Sequence, residues 1–158
     1  MIPILFYIIS ILVIVIDQLS KYLIRAQLTA GETIEIWDGV LNFTLYFNSG
    51  AAFGLFEGYG RLFVPVAIFV TTISIYLLNK GYLKGKMIQI GVALFVGGAI
   101  GNAVDRTLFN EVTDFIDFSY NSGILNLADY ALNFGFILIL IDTFIIEPIK
   151  KRKKKDQE

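Results

Sequence analysis

KMIQIGVALFVGGAIGNAVDR, residues 86–106, holds 18 uncharged residues between Lys86 and Asp105. That is about the length a helix needs to cross the hydrocarbon core of a bilayer. The stretch predicts a transmembrane helix that ends on an acid. A second segment repeats the ending in reverse. In Leu125-Asn126-Leu127-Ala128-Asp129 the acid comes first, and the apolar run behind it reaches Ile146, just before Glu147. Asp105 is 19 residues from Lys86, and Asp129 is 18 from Glu147. At a rise of about 1.5 Å per residue, each carboxyl lies roughly 27–29 Å from the far face of a core about 30 Å thick. Two antiparallel helices would therefore bring both acids to one depth, near one surface. Carboxylates at membrane depth are costly and mark functional sites by default.

Composition supports the membrane reading. The chain has 158 residues, 56% of them hydrophobic and 17% charged, with a mean hydropathy of +0.68. These values predict an integral membrane protein with one domain over residues 1–158. Cysteine and histidine are both absent. That excludes a Ser-His or Cys-His protease and any thiolate- or histidine-ligated zinc site. Carboxylates are left as the leading acid–base groups, and no metal or cofactor is called for.

The predicted fold is an all-α membrane protein of four transmembrane helices, at about 2–24, 62–78, 87–104 and 126–146. Nine of the 13 basic residues fall in two places: Lys80, Lys84 and Lys86, and Lys150, Lys151, Arg152, Lys153, Lys154 and Lys155. The positive-inside rule makes both places cytoplasmic, which four antiparallel spans satisfy with both termini inside. The tail, 148–158, reads as a topology anchor touching anionic membrane lipid and not as a nucleic-acid patch. The first apolar run has no basic leader and no clear small-residue cleavage site, and it continues through Asp17. It reads as a retained helix rather than a signal peptide.

Residues 29–60 change character. Ile34 and Ile36, then Leu41, Phe43, Leu45 and Phe47, alternate with other residues, and Asp38-Gly39 supplies a turn between the two runs. The pattern predicts a small antiparallel β-sheet on the outer surface, with Trp37 and Tyr46 suited to the lipid interface. Residues 107–125 are too interrupted to span and read as a short surface helix or loop on the same side. Gly97 and Gly101 form a GxxxG step that lets a neighbouring helix approach closely.

Asn102, Asp105 and Arg106 are spaced i, i+3, i+4 and share a helix face, and Asn126 and Asp129 are also i, i+3. An asparagine one turn from each acid can orient its carboxyl, and Asn126 also suits a helix N-cap. An ion pair with Arg106 would account for Asp105 as well. No basic neighbour in sequence accounts for Asp129. Asp17 and Lys21 are an i, i+4 pair and read first as a structural ion pair. Asn48-Ser49-Gly50-Ala51-Ala52-Phe53 reads as a tight turn in which Asn48 can contact a ligand backbone. Asp114 and Asp117 read as capping or pairing groups on the outer surface.

Five blocks in order resemble the bacterial lipoprotein signal peptidase (signal peptidase II) family: Asp17-Gln18-Leu19-Ser20-Lys21-Tyr22, Asn48 to Phe53, Gly97 to Arg106, Asp114-Phe115-Ile116-Asp117, and Asn126-Leu127-Ala128-Asp129. The resemblance implies that Asp105 and Asp129 are a catalytic dyad. It implies that Asn48, Gly50, Asn102, Arg106, Asn126, Asp17, Lys21 and Asp114 bind substrate or support the site, and that the outer sheet is the family's β-cradle. It also implies a substrate, a prolipoprotein carrying diacylglyceryl on its lipobox cysteine and cut just before that cysteine. The family's location would be the bacterial cytoplasmic membrane, with the site near the outer face. Phe47, Leu125 and Tyr130 depart from the family's usual residues.

Two carboxyls a few ångströms apart share one proton, so one can activate water while the other protonates the developing oxyanion. A monomer suffices for this chemistry. Two other readings remain open on the residues alone. A four-helix transporter would line an ion path with Asp17, Asp105 and Asp129, and an assembly subunit would use the acids to pair helices. No Gly-x-Gly-Asp or Gly-x-Ser-Gly motif points to another intramembrane protease.

Overall fold

The computed structural model describes residues 4–50, 56–120 and 123–155, with side chains to 152. In chain order it comprises α1 (Ile4–Gln27), β1 (Thr33–Trp37), β2 (Leu41–Asn48), α2 (Phe63–Asn79), α3 (Lys86–Phe109), β3 (Val112–Phe118), α4 (Leu127–Ile141) and α5 (Glu147–Lys155). A 3-10 turn, Gly60–Leu62, leads into α2, and a π-helical turn, Asp142–Ile146, joins α4 to α5. Among the described residues, four helical stretches are long and apolar enough to cross a membrane: Ile4–Gln27, Gly60–Asn79, Lys86–Phe109 and Leu127–Arg152.

The helix α3 is central, and α1, α2 and α4 each pack against it. Lipid supplies no hydrophobic drive between helices, so small residues and interhelical hydrogen bonds hold them. A Cβ on Gly97 would lie 2.8 Å from Val13 Cβ of α1, and one on Gly98 would collide with the Ala128 carbonyl of α4. Gly135 of α4 and Gly91 of α3 meet in the same way, backbone against backbone. The Gly97/Gly101 step thus faces α1 first, while Gly91, Gly98 and Gly135 admit α4. On α1 the buried residues Phe6, Ser10, Asp17 and Lys21 form one stripe. Ser10 Oγ donates to the Ala93 carbonyl at 3.0 Å, and Ile8, Ile11, Leu12 and Ile16 on the other faces are exposed, as lipid-facing residues are.

The sheet is antiparallel in the order β1-β2-β3. Gly39, at φ +64°, turns the chain between β1 and β2, a conformation glycine adopts without a Cβ penalty. The third strand corrects the reading of residues 107–125 as a surface helix or loop. Val112-Thr113-Asp114-Phe115-Ile116-Asp117-Phe118 pairs with β2, Leu41 opposite Phe118 and Asn48 opposite Val112. Asn110, left-handed at φ +63°, ends α3 and turns the chain into this strand. Its side chain also accepts from Arg61 N at 3.2 Å and donates to the Gly58 carbonyl at 3.3 Å, tying the top of α3 to the start of α2.

Two features bring the strand to the helix ends. The β2/β3 register breaks between Phe43 and Tyr46, and Tyr46 then lies opposite Asp114; such irregularities re-aim side chains. Phe115 N and Ile116 N both donate to the Leu125 carbonyl, at 2.9 and 2.7 Å, so β3 lies against the segment entering α4. Asp114 is thereby carried beside Asn126.

Candidate active site

Asn126 caps α4 through a reciprocal pair of bonds. Its Oδ1 accepts from Asp129 N at 3.0 Å, and Asp129 Oδ2 accepts from Asn126 N at 3.1 Å. The Asn-x-x-Asp spacing is thus a capping box, two otherwise orphaned backbone donors satisfied at once. The other Asp129 oxygen, Oδ1, accepts from Asn102 Nδ2 at 2.8 Å. Asn126 Nδ2 donates to Asp114 Oδ1 at 2.6 Å and to Asn102 Oδ1 at 3.1 Å. The asparagines therefore serve across helices: Asn102 orients Asp129, not its own neighbour Asp105, and Asn126 orients Asp114.

Asp114 is 2% exposed. Its Oδ2 accepts from Asn48 Nδ2 at 3.1 Å, and Asn48 Oδ1 in turn accepts from Gly50 N at 3.1 Å. Its pKa is pushed up to about 7, chiefly by burial and next by the charge of Asp129. Arg106 donates from Nη2 to the Gly50 carbonyl at 3.1 Å, and its guanidinium lies 4.8 Å from the centre of the Phe63 ring. A cavity of about 100 Å³ is lined by Asn48, Asn102, Arg106, Val112, Asp114, Leu125 and Asp129. Residues 51–55, and with them Ala51, Ala52, Phe53 and Gly54, lie outside the described residues.

Asp105 does not line that cavity. It is fully buried on the other side of Asn102, within a set of paired charges. Lys21 Nζ lies 2.8 Å from Asp17 Oδ2 and 3.5 Å from Asp105 Oδ2, and it donates to Asn102 Oδ1 at 2.9 Å. Arg25 Nη1 lies 3.5 Å from Asp105 Oδ1, and Thr113 N donates to Asp105 Oδ2 at 2.9 Å. Gln18 Nε2 reaches Asp105 Oδ1 at 3.3 Å and the Gly101 carbonyl at 3.0 Å. Asp17 Oδ1 accepts from Ala128 N at 3.0 Å, a carboxylate on the first turn of α4 where the helix dipole favours it.

The sequence expectation that Asp105 and Asp129 stand side by side over one water is therefore corrected. Helix spacing puts Asn102 and Asp105 on one face, but Lys21 of α1 occupies that face. The hydrogen-bonded route from Asp105 to Asp129 runs through Lys21 and Asn102. The alternative reading of Asp105, an ion pair with Arg106, is not what forms either: Asp105 pairs with Lys21 and Arg25. Of the expected supporting residues, Asn48, Asn102, Arg106, Asp114 and Asn126 border the cavity or bond its acids. Gly50 holds Asn48 and Arg106, and Asp17 and Lys21 brace the helices behind. The sequence reading missed Gln18, Arg25 and Thr113. Only the i, i+4 step from Lys21 to Arg25, which continues the buried polar stripe of α1, signals one of them.

Residues 9–145 match the family described as signal peptidase (SPase) II. The chain is 40% identical over 144 residues to the lipoprotein signal peptidase of Listeria monocytogenes serotype 4a, covering 89% of this chain and 93% of that one. The lipoprotein signal peptidase of Listeria innocua serovar 6a gives the same figures. Among solved structures, the fold is similar to a bacterial membrane enzyme determined by the in meso method. That likeness has a TM-score of 0.81 and 34% identity over 88% of this chain and 89% of the other. A second such structure gives a TM-score of 0.80 at 34% identity.

Proposed function

Because the chain belongs to the signal peptidase II family, we propose that it is an aspartyl endopeptidase that removes the signal peptide from diacylglyceryl-modified prolipoproteins, cutting just before the lipidated cysteine. Asp129 and Asp114 are the working pair. One observation carries that assignment: both border the same small cavity, while Asp105 is enclosed behind it by Lys21, Arg25 and Gln18.

The chemistry follows from the surroundings. Asp129 and Asp114 have asparagine amides as close partners rather than cations. Neighbouring carboxyls with no cation in direct contact hold one proton between them. The raised pKa of Asp114 keeps that proton available near neutral pH. The ionised carboxyl takes a proton from water as the water attacks the scissile carbonyl. The protonated carboxyl gives its proton to the developing oxyanion; the proton taken from water then passes to the leaving amine as the C–N bond breaks, and a diol hydroxyl returns a proton to the first carboxyl. Asn102 and Asn126 hold both acids in place, so little reorganisation accompanies the step. Arg106, beside the cavity mouth and braced by Phe63 and Gly50, is suited to a substrate carbonyl.

The location fits this chemistry. The acids stand where the outer sheet meets the helix ends, so a substrate held by acyl chains presents its cleavage site at that level. Lys80, Lys84, Lys86 and the basic tail support a cytoplasmic position for the opposite end of the bundle, with both termini inside. The chain works as a monomer.

The test is direct. The purified protein in detergent is incubated with a diacylglyceryl-modified prolipoprotein and with the same precursor lacking the lipid. Release of signal peptide from the modified precursor alone is the expected result. Ion flux through liposomes without any cleavage would favour a transporter instead.

A further inference from the structure

Arg25 lies in none of the motifs that carry the family resemblance, and the mechanism above does not use it. It sits in the last turn of α1, where the helix dipole favours a cation. Its Nη1 donates to Thr113 Oγ1 at 2.7 Å and lies 3.5 Å from Asp105 Oδ1. Its guanidinium carbon is 4.9 Å from the centre of the Phe109 ring. One side chain therefore joins the end of α1, the end of α3 and the start of β3. Only a planar fork can make the hydroxyl bond while keeping its charge beside the carboxylate and its face on the ring; an ammonium is a point donor.

Thr113 is held twice, its N–H by Asp105 Oδ2 at 2.9 Å and its hydroxyl by Arg25. The next residue is Asp114. Successive side chains of a strand point to opposite faces, so fixing Thr113 toward α1 turns Asp114 toward the cavity. From the cavity side, among the described residues, amides of Asn126 and Asn48 hold the Asp114 carboxyl. We propose that Arg25 is a positioning residue that aims Asp114 into the cavity by clamping Thr113, without itself touching substrate. The inference rests on the reading of Asp114 as one of the two working acids.

The experiment uses the full-length protein in detergent with a diacylglyceryl-modified prolipoprotein, and it reads kcat and KM separately. The variants are Arg25→Met, Arg25→Lys, Thr113→Val, Thr113→Ser and the double Arg25→Met/Thr113→Val. Misaiming a reacting group slows the bound complex, so Arg25→Met and Thr113→Val should each lower kcat about tenfold with KM within about twofold. Arg25→Lys should fall with them. Thr113→Ser, which keeps the hydroxyl and loses only a methyl, should stay within about twofold of the parent. The double variant should be no slower than the slower single one, because both remove the same contact.

Parent-like kcat in Arg25→Met, a loss carried by KM, additive losses in the double variant, or equal losses in Thr113→Ser and Thr113→Val would each overturn the proposal. The outcomes also separate the two readings. A parent protein that releases no signal peptide sinks the peptidase reading and this inference with it. A parent that cleaves, alongside Arg25 variants that cleave equally well, sinks only the role of Arg25.

Discussion

Two groups of acids, buried but for the half-buried Asp129, sit on either side of Asn102, and their partners differ. Behind it, Asp17 and Asp105 are matched by Lys21 and Arg25, two anions against two cations, closed to the cavity. In front of it, Asp114 and Asp129 are held by amides and backbone N–H groups and open onto about 100 Å³ of space. The first arrangement fixes charge in place and ties three helices together. The second leaves a proton to be shared. On the proposed reading, the identity of the partners, more than depth, separates structural acids from reactive ones.

The sharpest way to break this contrast is to neutralise Asp129. Asp129→Asn should lower cleavage by about 10³-fold or more, the scale of a lost general acid or base, while the protein still folds. Signal-peptide release and thermal unfolding of the same preparation check both halves. Near-parental turnover would dissolve the distinction between the two groups.

The rear group should answer through stability. Lys21→Met leaves Asp17 and Asp105 buried with one cation, Arg25, between them, and breaking such a pair costs about 3–5 kcal/mol. Denaturation in detergent should show a loss of that size. A loss below about 1 kcal/mol, the range of an exposed pair, would mean that the cluster is not the brace described.

A smaller effect tests how α3 and α4 bring the front group together. Gly98→Ala drives a methyl into the Ala128 carbonyl and should cost about 1–3 kcal/mol as overpacking, with reduced cleavage. Gly123→Ala, where a Cβ meets nothing within 4 Å, should change stability by less than about 0.5 kcal/mol.

The subtlest expectation concerns pH. The pKa of Asp114 is raised from 3.8 to about 7. Through that window the folded protein keeps a proton that the unfolded chain has released. Its contribution to stability is therefore complete below the lower value and disappears as pH rises through the upper one. Asp114→Asn should flatten this slope. Melting temperatures from about pH 5 to about pH 8 would show it, and parallel slopes in both proteins would contradict it.

Much of the fold was legible because membrane helices announce themselves by length. Residues 87–104 needed only a count of uncharged positions, and the period-2 run from Leu41 to Phe47 marked β2. The strand β3 escaped because Asp114 and Asp117 interrupt Val112–Phe118, making it look like a polar loop. Its Val, Thr, Phe, Ile and Phe are nonetheless strand-favouring residues. Asp129 and its capping asparagine were readable from spacing alone. The surroundings of Asp105 were not, because rotation about a helix axis matters as much as depth. Nothing local to Asn102-Ala103-Val104-Asp105 says that Lys21 of α1, more than 80 residues earlier, fills that face. The same long-range contact hid Arg25 and Thr113, which meet only once α1 and β3 pack together.

The decisive measurement is a single-turnover comparison of Asp105→Asn with Asp114→Asn, each purified, shown to be folded and mixed with one diacylglyceryl-modified prolipoprotein. The account predicts that Asp114→Asn is inert while Asp105→Asn, though less stable, cleaves at least about 10²-fold faster than it. An inert Asp105→Asn beside an active Asp114→Asn would contradict the account.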